Sequence, residues 1–268
     1  MNSTAALAAN LRQARELIGA AATAGARLIG LPEYFAFLGP EPELRSRARE
    51  IAQAGKQLLA ESAQQHGVFV MGGAIRVPAT VSEGDPVQRV LNSARLFGPD
   101  GQERACYDKI HLFDVDIPDG VRYRESDYTV PGNAEPVAYA DPQLGTVGLT
   151  ICYDLRFAEL YGALAADQHA DAIFAPAAFT AFTGTAHWEL LVRTRAVENT
   201  CYLIAPAQTG THYGKRASYG HAMIADPWGD VLSDAGTEPG FALATIDPAR
   251  LQSVRARVPT HTHRRLGR

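Results

Sequence analysis

Three side chains in this sequence carry the chemistry needed to open a carbonyl: a thiol, an ammonium and a carboxylate. Cys152 follows the apolar run GLTI, Lys109 closes RACYDK, and Glu33 follows ARLIGLP, so each falls where a strand would end. A second carboxylate, Glu125, lies in the long polar stretch after Lys109. In layered α/β proteins ligands collect beyond the carboxyl ends of strands, so these residues can converge on one pocket. A thiolate attacks a carbonyl carbon. The place of Cys152 ahead of an expected helix, and an ammonium from Lys109, would both favour that thiolate. Attack creates a tetrahedral oxyanion, which an ammonium and a backbone N–H would hold. Glu33 fits the carboxylate that takes the thiol proton and returns it to a leaving amine, a role worth on the order of 10²–10⁴ in rate. Reaction would run through a thioester that water hydrolyses. Taken singly, each residue also fits a quieter role: a core cysteine, a solvated edge lysine, a turn glutamate after proline.

The elements that must position them follow from the apolar pattern. Residues 4–24 read as a helix, with Leu7, Leu11, Leu17 and Ile18 roughly on one face and alanines between. ARLIGL reads as a buried strand, residues 43–65 as one helix ending near Gly67, and VFVMGGAI as the next strand. VPATVSEGDPVQ has the composition of a surface loop. VLNSARLFGPDGQERACYDKIHL predicts two strands around GPDG, and 112–143 an irregular stretch whose length marks it as functional or disordered. TVGLTI is a strand with a helix from about 156, ADAIFAPAAF another strand, and 185–199 a helix with Trp188, Leu191, Val192 and Arg195 on one face. CYLIAPAQ is a strand, SYGHAMIADPWGDVLSDAG a hairpin around PWGD, FALATID the last strand, and 248–268 a basic surface segment. Strands alternating with helices, then hairpins, predict an α/β layered fold with helices outside. Nothing suggests a linker or repeat, so one domain over 1–268 is expected.

Composition narrows the function classes. The 268 residues carry 25 Lys+Arg against 29 Asp+Glu, a net charge of −4, which argues against an electrostatic grip on nucleic acid. The cysteines, Cys106, Cys152 and Cys201, have no paired spacing, which argues against a disulfide scaffold or a cysteine-based zinc site. No apolar run approaches the ~20 residues that span a membrane, and the N-terminus shows no signal-peptide core. A cytoplasmic protein is the expectation. There is no GxGxxG after the first strand and no GxxxxGK[ST], so those nucleotide sites have no support.

The segments around the chemical residues resemble the nitrilase superfamily of carbon–nitrogen hydrolases, over nearly the whole chain. GARLIGLPEYFAFLG matches the motif of its glutamate (Glu33), YDKIHLFDVDIPDG that of its lysine (Lys109), and GLTICYDLRFAELY that of its cysteine (Cys152). RYRESDYTVPG matches the second glutamate, Glu125, which positions the lysine. The resemblance implies a four-layer α-β-β-α sandwich, a homodimer, and no metal or organic cofactor. Within the superfamily, KIHLFDVDIPDG, FTGTAHWELLVRTRAVENTCYLIAPAQTG and KRASYGHAMIADPWG look closest to the deaminated glutathione amidase branch. The implied reaction releases 2-oxoglutarate and cysteinylglycine. The neighbouring ω-amidase branch, acting on 2-oxoglutaramate, shares TGTAHWELL and RFAEL, and another small aliphatic amidase or carbamoyl hydrolase is a further alternative. A non-catalytic binding protein on this fold is the rival from another class, and the intact Glu33, Lys109 and Cys152 set argues against it.

Two departures from the pattern stand out. Ala158 occupies a position that is often Pro in the closest branch. Family members also usually begin with a strand ending in a Gln-Met or similar pair, whereas here Met1 stands where that strand would finish. The expectation is that this first strand is missing and that the full-length protein carries roughly 8 more residues, about one strand.

Around the nucleophile, Arg156 is expected either to clamp a substrate carboxylate or to pair with Asp154, Glu159 or a loop acid. The Tyr153 backbone N–H would face the oxyanion, with its ring packing. Phe179 and Thr183, after AIFAPA, are candidate pocket residues. His187 and His221 are expected to be structural, Cys106 and Cys201 core residues, and Trp188 core or dimer packing.

Overall fold

The structure is a computed structural model and describes residues 1–79, 89–116 and 122–265. From the N-terminus come α1 (Leu7–Thr23), β1 (Leu28–Gly30), α2 (Glu41–Ser46), α3 (Ala48–His66), β2 (Phe69–Pro78), β3 (Val90–Phe97) and β4 (Glu103–Asp108). β5 (Asp114–Asp116), β6 (Arg122–Arg124), a 3₁₀ turn at Glu125–Asp127, β7 (Val137–Asp141) and β8 (Gly145–Leu149) follow. A second 3₁₀ turn at Cys152–Arg156 leads to α4 (Ala158–Ala166), β9 (Ala172–Phe174), α5 (Ala181–Asn199) and β10 (Tyr202–Ala205). β11 (Thr209–Tyr213), β12 (Arg216–Tyr219), β13 (Met223–Ala225), β14 (Val231–Asp234), α6 (Pro248–Arg257) and α7 (Thr260–His263) complete the described chain.

Two sheets carry the fold. One has the order β1-β2-β3-β4, the other β14-β13-β10-β9-β8-β7, with β8, β9 and β10 parallel. Met71, Ala94, Leu96 and Tyr107 of the first meet Leu149, Ile173, Phe174 and Leu203 of the second in one buried cluster. Ile18, Leu58, Leu59 and Ala63 of α1 and α3 cover the outer face of the first sheet around Val70 and Ile75. Leu160, Leu164, Trp188 and Val192 of α4 and α5 belong to the cluster on the second sheet. The result is the α-β-β-α sandwich expected from the sequence.

Local physics explains the boundaries. α3 ends where Gly67 takes φ 63°, a left-handed cap that glycine adopts without penalty. α5 is capped by Thr180, whose side chain accepts from the Thr183 N–H at 3.1 Å. Gly73 sits at the irregularity of β2 between Gly72 and Ile75. A Cβ there would lie 1.9 Å from the Leu31 carbonyl oxygen and 2.5 Å from Pro176 Cβ. Gly73→Ala is therefore expected to push the Leu31–Pro32 backbone aside and displace Glu33, costing about 1–3 kcal/mol of stability. A melting curve together with a rate assay checks both effects.

Several expectations fail. The helix expected over 43–65 is two helices broken at Arg47, where φ is −110°. The stretch 112–143 contains a β5–β6 hairpin, a 3₁₀ turn and β7. The helix expected from 185 begins at Ala181, and the hairpin β11–β12 is additional. FALATID forms no strand: 241–247 has no ladder partner, and 241–246 line a trough together with β1, an edge strand of its sheet. The C-terminal segment is not merely superficial, because Leu251 and Val254 of α6 are buried and Arg255 pairs with Asp171 at 2.9 Å. The loop expected at 77–88 lies outside the described residues from 80 onward, as does the IPDG stretch of the lysine motif.

Candidate active site

Four chain segments deliver the site. Beyond β1, Leu31 donates to the Met71 carbonyl and Tyr34 to that of Ala74, which fixes Glu33 between them. Beyond β4, the Lys109 N–H donates to the Asn92 carbonyl at 2.9 Å. Beyond β8, Cys152 opens the 3₁₀ turn with its N–H on the Pro176 carbonyl at 2.8 Å. Cys152 takes φ 50°, an uncommon left-handed conformation for a non-glycine residue and one that concentrates at functional turns. The turn is held by Asp154, which is fully buried. Its carboxylate accepts from the Tyr107 hydroxyl at 2.7 Å, the Ile151 N–H at 2.9 Å and the His111 N–H at 3.1 Å. Thus β4 and the following loop are tied directly to the turn that presents the thiol.

The charged groups interlock. Lys109 Nζ donates to Glu33 Oε1 at 3.1 Å and to Glu125 Oε2 at 2.8 Å. Glu33 Oε2 accepts from the Ala178 N–H at 3.0 Å, and Glu125 Oε2 from the Phe113 N–H at 2.8 Å. Asn92 bridges the two carboxylates, 2.9 Å from Glu33 Oε1 and 3.3 Å from Glu125 Oε1. Arg76 lies 3.6 Å from Glu125, its guanidinium against the rings of Tyr34 and Tyr128. Glu33, Lys109 and Glu125 are all at most 4 % exposed. Buried charges survive only when paired and hydrogen-bonded, as these are. Burial works against the Lys109 charge, but Glu125 and Glu33 hold its pKa well above the ordinary value. Burial likewise opposes Glu125 ionisation, yet Lys109 and Arg76 bring its pKa down to about 2.

Cys152 shares this cleft, its thiol close to Glu33, Lys109 and the Ala178 N–H. Burial first, then the Glu33 charge, pushes its pKa well above the ordinary thiol value, and Lys109 offsets this only in part. Burial and Glu33 thus favour the thiol whose proton the sequence reading gives to Glu33, while Lys109 and the Ala178 N–H favour the thiolate. Two carboxylates already engage Lys109, and a five-residue 3₁₀ turn stands where a helix N-terminus was expected.

Glu33, Lys109, Glu125, Cys152, Tyr153, Phe179 and Thr183 all line one cleft. Arg156 does not line it. Its Nη2 is 3.3 Å from His187 Nδ1, its guanidinium lies over the Tyr153 and Phe179 rings, and the expected pairing with Asp154 or Glu159 does not form. Trp188 is buried against Phe179 and donates to the His221 carbonyl, and His221 meets Asp234 at 2.9 Å. Cys201 is fully buried, whereas Cys106 is only partly so. Sequence reading missed Asn92, Arg76, Asp154 and Arg216. The signal available was a polar residue inside an apolar strand, as in GGAIRV and VLNSARL. Among the described residues no group of three or more His, Cys, Asp or Glu side chains could hold a metal ion.

Comparison with known proteins bears on this geometry. Residues 1–256 match the carbon–nitrogen hydrolase family. A deaminated glutathione amidase of Synechocystis is 49 % identical over 264 residues, 98 % of this chain and 95 % of the relative. The crystal structure of the Caenorhabditis elegans NitFhit protein superposes with a TM-score of 0.90 at 35 % identity, covering 99 % of this chain and 63 % of that one. A mutant of the amidase from Nesterenkonia sp. AN1, whose active-site cysteine carries acrylamide by Michael addition, gives a TM-score of 0.75 at 25 % identity over 97 % of this chain and 95 % of its own.

Proposed function

The chain belongs to the carbon–nitrogen hydrolase family, and from that membership we propose a cysteine-dependent amidase that cleaves deaminated glutathione to 2-oxoglutarate and cysteinylglycine. The observation that carries this reading is the buried Glu33–Lys109–Glu125 network set against the Cys152 thiol in one cleft. Its support for the substrate is the 49 % identical relative of that name.

In the proposed mechanism the thiol is protonated at rest. Glu33 takes its proton as sulfur attacks the amide carbon, so negative charge passes from Glu33 through sulfur to the carbonyl oxygen. The Lys109 ammonium holds the resulting oxyanion. The Tyr153 N–H, which has no backbone or side-chain acceptor among the described residues, is the second donor. Glu33 then protonates the leaving nitrogen, the C–N bond breaks, and a thioester remains on Cys152. Water, deprotonated by the same carboxylate, attacks the thioester, and the thiol returns as the acid leaves. Glu125 stays ionised and keeps Lys109 in place. These steps need no metal or organic cofactor.

The whole chain serves as one hydrolase domain. A homodimer accounts for the apolar patch formed by Phe182, Leu190 and Val197 of α5 and Trp228 in the β13–β14 turn, which are 53 %, 64 %, 45 % and 53 % exposed. The turn packs on α5 through Arg193, which donates to the Gly229 carbonyl at 2.8 Å. Leu190→Asp is expected to convert the dimer to monomer in light scattering, and a monomeric wild type would refute the assignment. A cytoplasmic location suits the three cysteines, all free, since that compartment keeps thiols reduced. Among the described residues no helix is long and apolar enough to cross a membrane.

The function is tested by supplying deaminated glutathione and 2-oxoglutaramate separately and following 2-oxoglutarate release. Higher kcat/KM on the first is expected. Preference for the second makes the protein an ω-amidase, and activity on neither removes the substrate assignment.

A further inference from the structure

Glu125 turns its two carboxylate oxygens to different partners. Oε2 accepts from Lys109 Nζ and from the Phe113 N–H, each at 2.8 Å. Oε1 accepts from the Tyr34 hydroxyl and from Asn92 Nδ2, each at 3.3 Å, and lies 3.6 Å from Arg76 Nη2. The same Arg76 nitrogen donates to the Tyr34 hydroxyl at 2.7 Å, so the phenol passes a charge-assisted contact on to the carboxylate. Arg76 and Asn92 are cross-strand partners in the β2–β3 ladder, which sets both side chains toward that oxygen.

The guanidinium also ties together the segments that carry the two acids. Its Nη1 donates to the Thr129 hydroxyl, four residues after Glu125, while Tyr34 is the neighbour of Glu33. Arg76 is 3 % exposed. A third carboxylate, Glu41 of α2, stands 3.7 Å away, but burial pushes the Glu41 pKa up, which weakens its hold on the guanidinium. The consequence concerns Lys109. An ammonium that alone answered both carboxylates would be fully engaged before substrate arrives. With Arg76 on Glu125, the charges of Glu33 and Glu125 are matched by two cations, and the pull of Glu125 on Lys109 is shared.

Resting on the proposed amidase reading, we propose that Arg76 is a positioning residue: by answering Oε1 of Glu125 it leaves the Lys109 ammonium available to the negative charge that moves from Glu33 through Cys152 to the oxyanion. Arg76 acts through Tyr34, Glu125 and Lys109, not on the substrate.

The test measures kcat and KM on 2-oxoglutaramate and deaminated glutathione for Arg76→Met and Arg76→Lys, each in the wild-type and Glu125→Gln backgrounds. Arg76→Met should lower kcat on the order of 10–100-fold, less than outright loss of an oxyanion donor, with KM within about 3-fold. Lysine keeps the charge without the planar fork and should restore part of the rate. In the Glu125→Gln background Arg76→Met should change kcat less than about 3-fold, because the charge it answers is gone. Unchanged kcat overturns the proposal. So does a loss carried by KM, which would make Arg76 a substrate contact, or an equal loss in both backgrounds, which would make it structural. If Arg76→Met does not fold, Arg76→Lys and Tyr34→Phe carry the comparison. Each should then lose about 3–10-fold in kcat alone and less than about 2-fold with Glu125→Gln, and equal losses overturn the proposal. Methyl methanethiosulfonate, a small neutral reagent for thiolates, reads Cys152 without any amide substrate. Its labelling of the Cys152 peptide, followed by mass, should be about 3–10-fold slower in Arg76→Met, or in Arg76→Lys should the first not fold, and an unchanged rate overturns the proposal. Wild type inactive on both amides, with labelling still slowed in the variant, would refute the substrate reading alone.

Discussion

Cys152→Ala is expected to lose amide hydrolysis by on the order of 10⁴–10⁶ in kcat while its stability stays within about 1 kcal/mol of wild type. The side chain is small, its backbone N–H bond to Pro176 does not depend on sulfur, and alanine accepts the φ of 50° no worse than cysteine does. Glu33 and Lys109 keep their bond to each other and their other partners, so no buried charge is stranded. Removal of sulfur therefore separates chemistry from folding. Parallel rate and melting measurements check the separation, and retention of more than about a tenth of the activity would assign the bond-making step to another group.

Lys109→Met is expected to cost both. The ammonium is 2 % exposed and answers two carboxylates that are themselves buried. Its removal leaves Glu33 and Glu125 facing each other across Asn92 with Arg76 engaging only the second. Breaking one partner out of a buried pair costs about 3–5 kcal/mol. Glu125→Gln should destabilise less, and the double variant should lose less than the sum of the two. The sign of the pH dependence follows from Glu125. Its folded pKa of about 2 lies below the ordinary 4.5, so its contribution is fully present above about 4.5 and fades as the pH falls through about 2. In Lys109→Met that acid limit should move to higher pH, because the cation that holds Glu125 ionised is gone. Chemical denaturation of both proteins between pH 3 and 7 measures it.

The readable part of this protein lay where a strand stops. Glu33 and Cys152 follow apolar runs and Lys109 closes RACYDK, each inside a motif several residues long, and the structure brings them to one cleft. Glu125 needed the family resemblance, because a glutamate in a polar loop carries no local signal. Asn92 and Arg76 were illegible for a different reason. Each lies inside a largely apolar strand, and its partner is a carboxylate from another segment entirely. FALATID failed as a strand although its pattern was right, since a strand needs a partner edge and 241–247 faces a trough instead.

The most direct measurement is the mass of the peptide containing Cys152, taken from wild-type enzyme quenched in acid during turnover of deaminated glutathione. A 2-oxoglutaryl group bound to that peptide, absent when the quench precedes substrate and absent from Cys152→Ala, is the expected result. An acyl group on any other residue, or undiminished turnover by Cys152→Ala, would contradict a thioester at this cysteine and with it the proposed mechanism.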